Sequence, residues 1–208
     1  SVRARAAWAL GRIGSARAEE PLRRLLGDPS AEVRRAAAYA TGFLADGASA
    51  QAQIVLVGRF VAETDEQTRA NLAYALGRLG GSEAEPLLIE ALLSGSSALQ
   101  AAAAQALGAH GWRSRAVGAE VYRALALALT RFADRPRVAP AAAFALARLR
   151  PAPIEVAPAV VEALVLGARS ADPDVRAFAL RAPEATPCIF GPNSTLPRTV
   201  SHGKSEAS

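Results

Sequence analysis

The chain has 208 residues, 51% of them nominally apolar, with alanine the commonest and only 11 aromatic residues. Alanine at that level suits helices whose backbones approach closely, since it has high helix propensity and little bulk. A single cysteine, Cys188, excludes an intrachain disulfide, and the net charge of +5 bears on solubility and association with anions rather than on identity.

One phrase recurs six times: a branched residue, usually an arginine, small residues, an aromatic, Leu and Gly. It begins at Val2, Val33, Thr68, Leu99, Val138 and Val175, at spacings of 31, 35, 31, 39 and 37 residues. Self-similarity at such a period predicts a stacked-repeat solenoid. In the first unit Val2, Ala6, Ala9, Leu10 and Ile13 are expected on one buried helical face, with Gly14 ending the helix in a left-handed cap. A second helix follows, with Pro21 in its first turn and Leu22, Leu25 and Leu26 as its stripe. One unit is then a helical hairpin of about thirty residues, too small to bury its own stripe.

The second unit places Ile54, Leu56, Val57 and Phe60 on its second helix after a longer turn, Asp46 to Gln53. The third has Leu72, Ala75, Leu76 and Leu79 on its first helix, with Gly77, Gly80 and Gly81 expected to end it, and Pro86 opening the next. The fourth sets Val121, Leu125, Leu127 and Leu129 on its second helix after an insertion at Trp112-Arg113-Ser114-Arg115, with Gly111 ending the first helix just after His110. The fifth uses Val160, Val161, Leu164 and Leu166 after the turn Arg150 to Pro153. The sixth begins at Asp172-Pro173-Asp174-Val175-Arg176, and Pro183 interrupts it where other units have their core leucine. The predicted fold is all-α, an α-solenoid of about five stacked hairpins. Its units span about 1–28, 29–65, 66–97, 98–136 and 137–173, with a partial unit at 174–182 and an irregular tail over 183–208.

The stretch Asp28-Pro29-Ser30-Ala31-Glu32-Val33-Arg34-Arg35-Ala36-Ala37-Ala38-Tyr39-Ala40-Thr41-Gly42 resembles the bacterial HEAT repeat, in the short form associated with phycobilin lyases. The resemblance covers residues 1 to about 182, and a start inside the first phrase suggests a piece of a longer protein. It implies that the arginine after the branched residue bonds an aspartate in the inter-repeat turn and nearby carbonyls. The expected pairs are Arg34 with Asp28, Arg69 with Asp65, and Arg176 with Asp172. Gln100 and Ala139 interrupt this ladder.

Catalytic signatures are absent from the sequence. His110 reads as a helix-terminal histidine suited to the dipole, and His202 lies in the tail without a triad partner. Glu19-Glu20 and Glu83/Glu85 sit at openings of second helices, where negative charge complements the helix N-terminus. No His/Cys grouping has zinc spacing, no phosphate loop follows a strand, and the His-Glu dipeptides of iron-binding HEAT hydroxylases do not occur. No cofactor, metal or membrane span is therefore expected. HEAT-like DNA glycosylases cradle DNA in a basic face. Here Arg23, Arg24, Arg59, Arg123 and Arg131 are interleaved with acidic residues, against the continuous basic groove that phosphate tracking needs.

The sequence thus predicts a non-catalytic scaffold for a protein partner. The alternatives are an accessory region of a larger enzyme, of the cyclophilin-type peptidyl-prolyl isomerase or bilin lyase kind, and a nucleic-acid binder. Trp8 is expected in the core because it shares its register with Tyr39, Tyr74 and Phe144. Trp112, Arg113 and Arg115 are the candidate partner contacts.

Overall fold

The computed structural model describes residues 1–44, 49–79, 81, 83–114, 117–149 and 152–182. Among them are eleven α-helices and no strand: α1 (Val2–Ile13), α2 (Glu19–Leu25), α3 (Ala31–Thr41), α4 (Ala50–Ala62), α5 (Glu66–Leu79), α6 (Ala84–Ser94), α7 (Ser97–Ser114), α8 (Ala119–Arg131), α9 (Val138–Arg148), α10 (Ala157–Gly167) and α11 (Pro173–Arg181). Asp46, Gly80, Arg115, Arg150, Pro151 and the tail from Pro183, including Cys188 and His202, lie outside the described residues.

The odd-numbered helices form one layer, each packed on the next from α1 to α11. The even-numbered helices form a second layer, in which α2 meets α4 and α6, α8 and α10 pack in succession, while α4 and α6 make only slight contact. Each even helix also packs against the odd helix that follows it. One buried cluster runs through the stack from Ala4 to Ala182, rich in leucine and alanine. This is the all-α solenoid of stacked hairpins, in which each unit buries its stripe against its neighbours.

Local signals account for many of the helix ends. Gly14 closes α1 with φ 64° and ψ 11°, and its N–H donates to the carbonyls of Leu10 and Gly11. Ser49 caps α4, its hydroxyl accepting from the Ala52 N–H at 3.2 Å. Asp172 caps α11, accepting from the N–H groups of Asp174 and Val175 at 2.8 and 3.2 Å. The longer second-unit turn therefore ends at Ser49, and residues 50–53 are helical.

The recurrent glycine of the phrase has a different role from the expected helix stop. Gly77 lies inside α5 and Gly111 inside α7. A Cβ on Gly11, Gly77 or Gly108 would fall within 2.9 Å of atoms of Ala40, Ala106 or Ala145 on the next odd helix. A Cβ on Gly111 would clash with the Leu149 side chain. The Ala and Gly positions thus let neighbouring helices in the odd layer approach backbone to backbone.

The buried face of α1 also differs from the expected one. Ala4, Ala7 and Gly11 are buried, whereas Val2 is 80% and Ile13 71% exposed and Ala6 and Ala9 are open. Their equivalents in α3 and the 3-10 turn that follows it, namely Val33, Ala37, Ala40 and Leu44, are buried where α1 packs on the second hairpin. Within the described residues α1 has an odd-layer neighbour on one side only. On the second helices, Ile54, Leu127 and Leu166 are likewise exposed, each turned away from the buried row set by Leu56, Leu125 and Leu164.

Candidate partner-binding face

The arginines that follow the branched residues stand at the edge where hairpins meet. Arg34 donates through Nη1 to the carbonyls of Asp28 and Pro29 at 2.9 and 3.1 Å. Its Nε and Nη2 bond both carboxylate oxygens of Glu63, at 2.8 and 3.0 Å. The Asp28 carboxylate belongs instead to Arg3, through Nε at 2.8 Å and Nη2 at 3.2 Å. The Asp28–Pro29 turn therefore offers its carbonyls to the arginine that follows it and its carboxylate to the arginine of the hairpin before. The expected Arg34–Asp28 carboxylate pair is displaced by one hairpin for that reason.

The other two expected pairs are also replaced. Asp65 accepts from the Thr68 N–H at 2.8 Å and the Thr68 hydroxyl at 2.6 Å, capping α5, and from Arg35 Nη2 at 3.2 Å. Arg69 makes no hydrogen bond with it, and its guanidinium lies 5.4 Å from the Phe60 ring centroid. Arg176 reaches the carbonyls of Ser170 and Ala171, both at 2.7 Å, while Asp172 is occupied in capping α11. At the interrupted position Gln100 accepts from Arg135 Nη1 at 2.5 Å. The Arg34 guanidinium holds the Glu63 carboxyl below its ordinary value, and Arg3 does the same for Asp28.

A second row lies on the outer side of the odd layer. Trp8 in α1, Tyr39 in α3 and Tyr74 in α5 form a continuous ring contact with centroids 5.0 and 5.2 Å apart. Phe43 adds an edge contact to Tyr39 at 5.2 Å. Trp8 is 48% exposed and Tyr39, Tyr74 and Phe144 are half-buried, so the shared aromatic register runs along the edge of the core rather than within it. The register passes through exposed Gln105 to Phe144, whose ring meets at 5.1 Å that of Phe178, which lies one turn before the register position in α11.

Arginines lie over these rings one helical turn on. Arg78 sits 5.8 Å from the Tyr74 centroid, and Arg148 lies 5.2 Å from Phe144 and 5.4 Å from Trp112. Trp112 and Arg113 belong to the last turn of α7 rather than to an inserted turn, and Trp112 is 66% exposed. Trp112 is thereby joined through Arg148 to the same aromatic row. Arg115 lies outside the described residues. Beside Trp8 and Tyr39 is a depression of about 410 Å³ lined also by Arg5, Glu32, Arg35 and Asn71.

His110 is not at a helix end. It is buried within α7, where its Nε2 lies 3.1 Å from Glu85 Oε1, and the other oxygen of Glu85 accepts from the Gly118 N–H at 3.3 Å. Glu85 thus ties α6 to α7 and to the start of α8. Glu19 similarly reaches across a hairpin to accept from the Ser49 N–H at 2.9 Å. Among the described residues no three His, Cys, Asp or Glu side chains gather as metal ligands. On the even layer Arg23 and Arg24 pair with Glu20, and Arg123 pairs with Glu120.

The sequence model for HEAT repeats matches residues 1–65 and 55–125. The chain belongs to the HEAT-repeat family. Among solved structures, this HEAT chain is similar to an engineered protein, a Northeast Structural Genomics Consortium target, with 24% identity and a TM-score of 0.57. The match covers 88% of this chain and 89% of that one, and it supports the fold. No curated protein matches the chain.

HEAT arrays are in general protein-interaction scaffolds, and the solenoid fold is typically non-catalytic. Among the described residues of this HEAT chain no helix is long and apolar enough to cross a membrane. The aromatic and arginine row was only partly visible in the sequence. The register of Trp8, Tyr39, Tyr74 and Phe144 could be read there, but not which side of the helix it faced.

Proposed function

We propose that the chain is a non-catalytic HEAT scaffold, with residues 1–182 as its repeat array, that holds a protein partner on the outer face of the odd-numbered helices. The observation that carries this reading is the ring-stacked row Trp8–Tyr39–Tyr74, exposed at Trp8 and half-buried at the two tyrosines, continued by half-buried Phe144 and by exposed Arg148 and Trp112. Trp, Tyr and Arg are the residues in which interface binding energy concentrates. The rings are already held against one another, so little side-chain entropy remains to be lost on binding. Arg113, beside Trp112, extends the contact.

The even layer supports this assignment by contrast. Arg23, Arg24 and Arg123 there are paired with glutamates on their own helices, which breaks up a basic track for a phosphate backbone. The test compares affinity purification with the unaltered protein, with Trp8→Ala/Tyr74→Ala and Trp112→Ala variants, and with an even-layer control, Glu162→Gln. A protein retained by the unaltered chain and the control but lost with the face variants supports the reading. Equal retention by all of them overturns it.

A further inference from the structure

Arg69 lacks the partners that Arg3, Arg34 and Arg176 find, and the cause can be read from the register. The acid that Arg3 uses, Asp28, lies six residues before Arg34, and the acid that Arg34 uses, Glu63, lies six residues before Arg69. The matching position for Arg69 lies six residues before Gln100 and is Ser94. A hydroxyl stands where the two preceding turns supply a carboxylate, and that hydroxyl donates to the Glu90 carbonyl at 2.7 Å.

The consequence is an unsatisfied guanidinium. Arg69 Nε is buried without a hydrogen-bond partner, and among the described residues nothing accepts from this side chain. A buried donor left unpaired costs about 1–3 kcal/mol, and more when the group is charged. Arg69 also opens onto space. It lines a cleft of about 340 Å³ between α4 and α6, where the even layer parts, together with Phe60, Val61, Leu87, Ser94 and Leu99. Glu90 is on the exposed rim and is not bonded to Arg69.

We propose that this cleft is a carboxylate-binding site, in which Arg69 is the recognition group and an acidic side chain of a protein partner supplies what Ser94 lacks. A guanidinium edge matches a carboxylate bidentately, as Arg34 and Glu63 show one hairpin away. Phe60, Leu87 and Leu99 supply apolar surface against which the stem of a glutamate can lie. The cleft has room for one side chain rather than for a large ligand. The occupant being part of a protein rests on the scaffold reading, whereas the carboxylate chemistry rests on the Arg69 geometry alone.

The test follows the arginine Nε–H resonances of the full chain by NMR during titration with N-acetyl-L-glutamate N-methylamide, with the glutamine counterpart as the neutral control. The expected result is a saturable shift at Arg69, about tenfold weaker or more with the amide, with Arg34 and Arg176 unmoved. Ser94→Glu should occupy the site internally, abolishing the response while raising the unfolding midpoint. Arg69→Gln, which removes no existing hydrogen bond, should fold normally and bind no probe, and Glu90→Gln should tighten binding by removing a like charge. No movement at Arg69, equal response to the amide, or the same shift at Arg34 and Arg176 overturns the proposal. None of these outcomes touches the aromatic face, so the scaffold reading stands or falls separately.

Discussion

Gly77 lies directly against Ala106: a Cβ on Gly77 would come within 2.5 Å of the Ala106 Cα and carbonyl oxygen. The same step joins Gly11 to Ala40 and Gly108 to Ala145, so the phrase Ala-Leu-Gly describes how one hairpin meets the next. Gly77→Ala should therefore force α5 and α7 apart and lower the unfolding free energy by about 1–3 kcal/mol. Gly58→Ala is the opposing control. Gly58 is exposed inside α4 with nothing near its would-be Cβ, and alanine there should stabilise by about 0.5–1 kcal/mol through helix propensity. Urea denaturation of both variants checks the pair.

Ile13 and Leu44 occupy the same position in successive phrases, yet one is 71% exposed and the other buried. Ile13→Ala should change stability by about 0.5 kcal/mol or less. Leu44→Ala removes packed core and should cost about 2–5 kcal/mol. Equal costs in denaturation would mean that the α1 face is covered in solution.

Glu63 has its folded-state carboxyl held below the ordinary value of 4.5 by Arg34, and Asp28 is lowered below 3.8 by Arg3. A lowered folded-state pKa contributes stability that is present above the unfolded value and lost as pH falls through the folded one. Unfolding free energy should therefore decline as pH drops below about 4.5. Glu63→Gln should flatten part of that decline and cost about 1–3 kcal/mol at neutral pH, because the Arg34 fork loses a charged acceptor while half-buried. Denaturation midpoints measured from pH 7 downward report both effects.

Much of the fold could be read because its signals are local. The period gave the hairpins, Gly14 the left-handed cap, and Asp172 the start of α11. What failed depends on stacking between hairpins, which one phrase does not encode. The apolar row Val2, Ala6, Ala9 and Ile13 is indistinguishable in sequence from its buried counterpart in α3, and only the position in the stack separates them. Gly77 looked like a stop because glycine is commonest there, but tertiary approach overrode propensity. Arg34 pairs with Glu63 because Asp28, the acid of the preceding turn, is taken by Arg3 of its own unit. Trp8 shares a register with Tyr39, yet a register fixes alignment between helices without fixing its side.

Site-specific photo-crosslinking tests the central claim most directly, with a benzophenone side chain placed at Phe43 or Gln105 beside the aromatic row and, as controls, at exposed Ile54 and Val165 on the even helices. The account predicts adducts to the same protein partner from Phe43 and Gln105, lost when Trp8 and Tyr74 are replaced by alanine. Adducts that form equally from Ile54 and Val165, or that contain nucleic acid in place of protein, would contradict it.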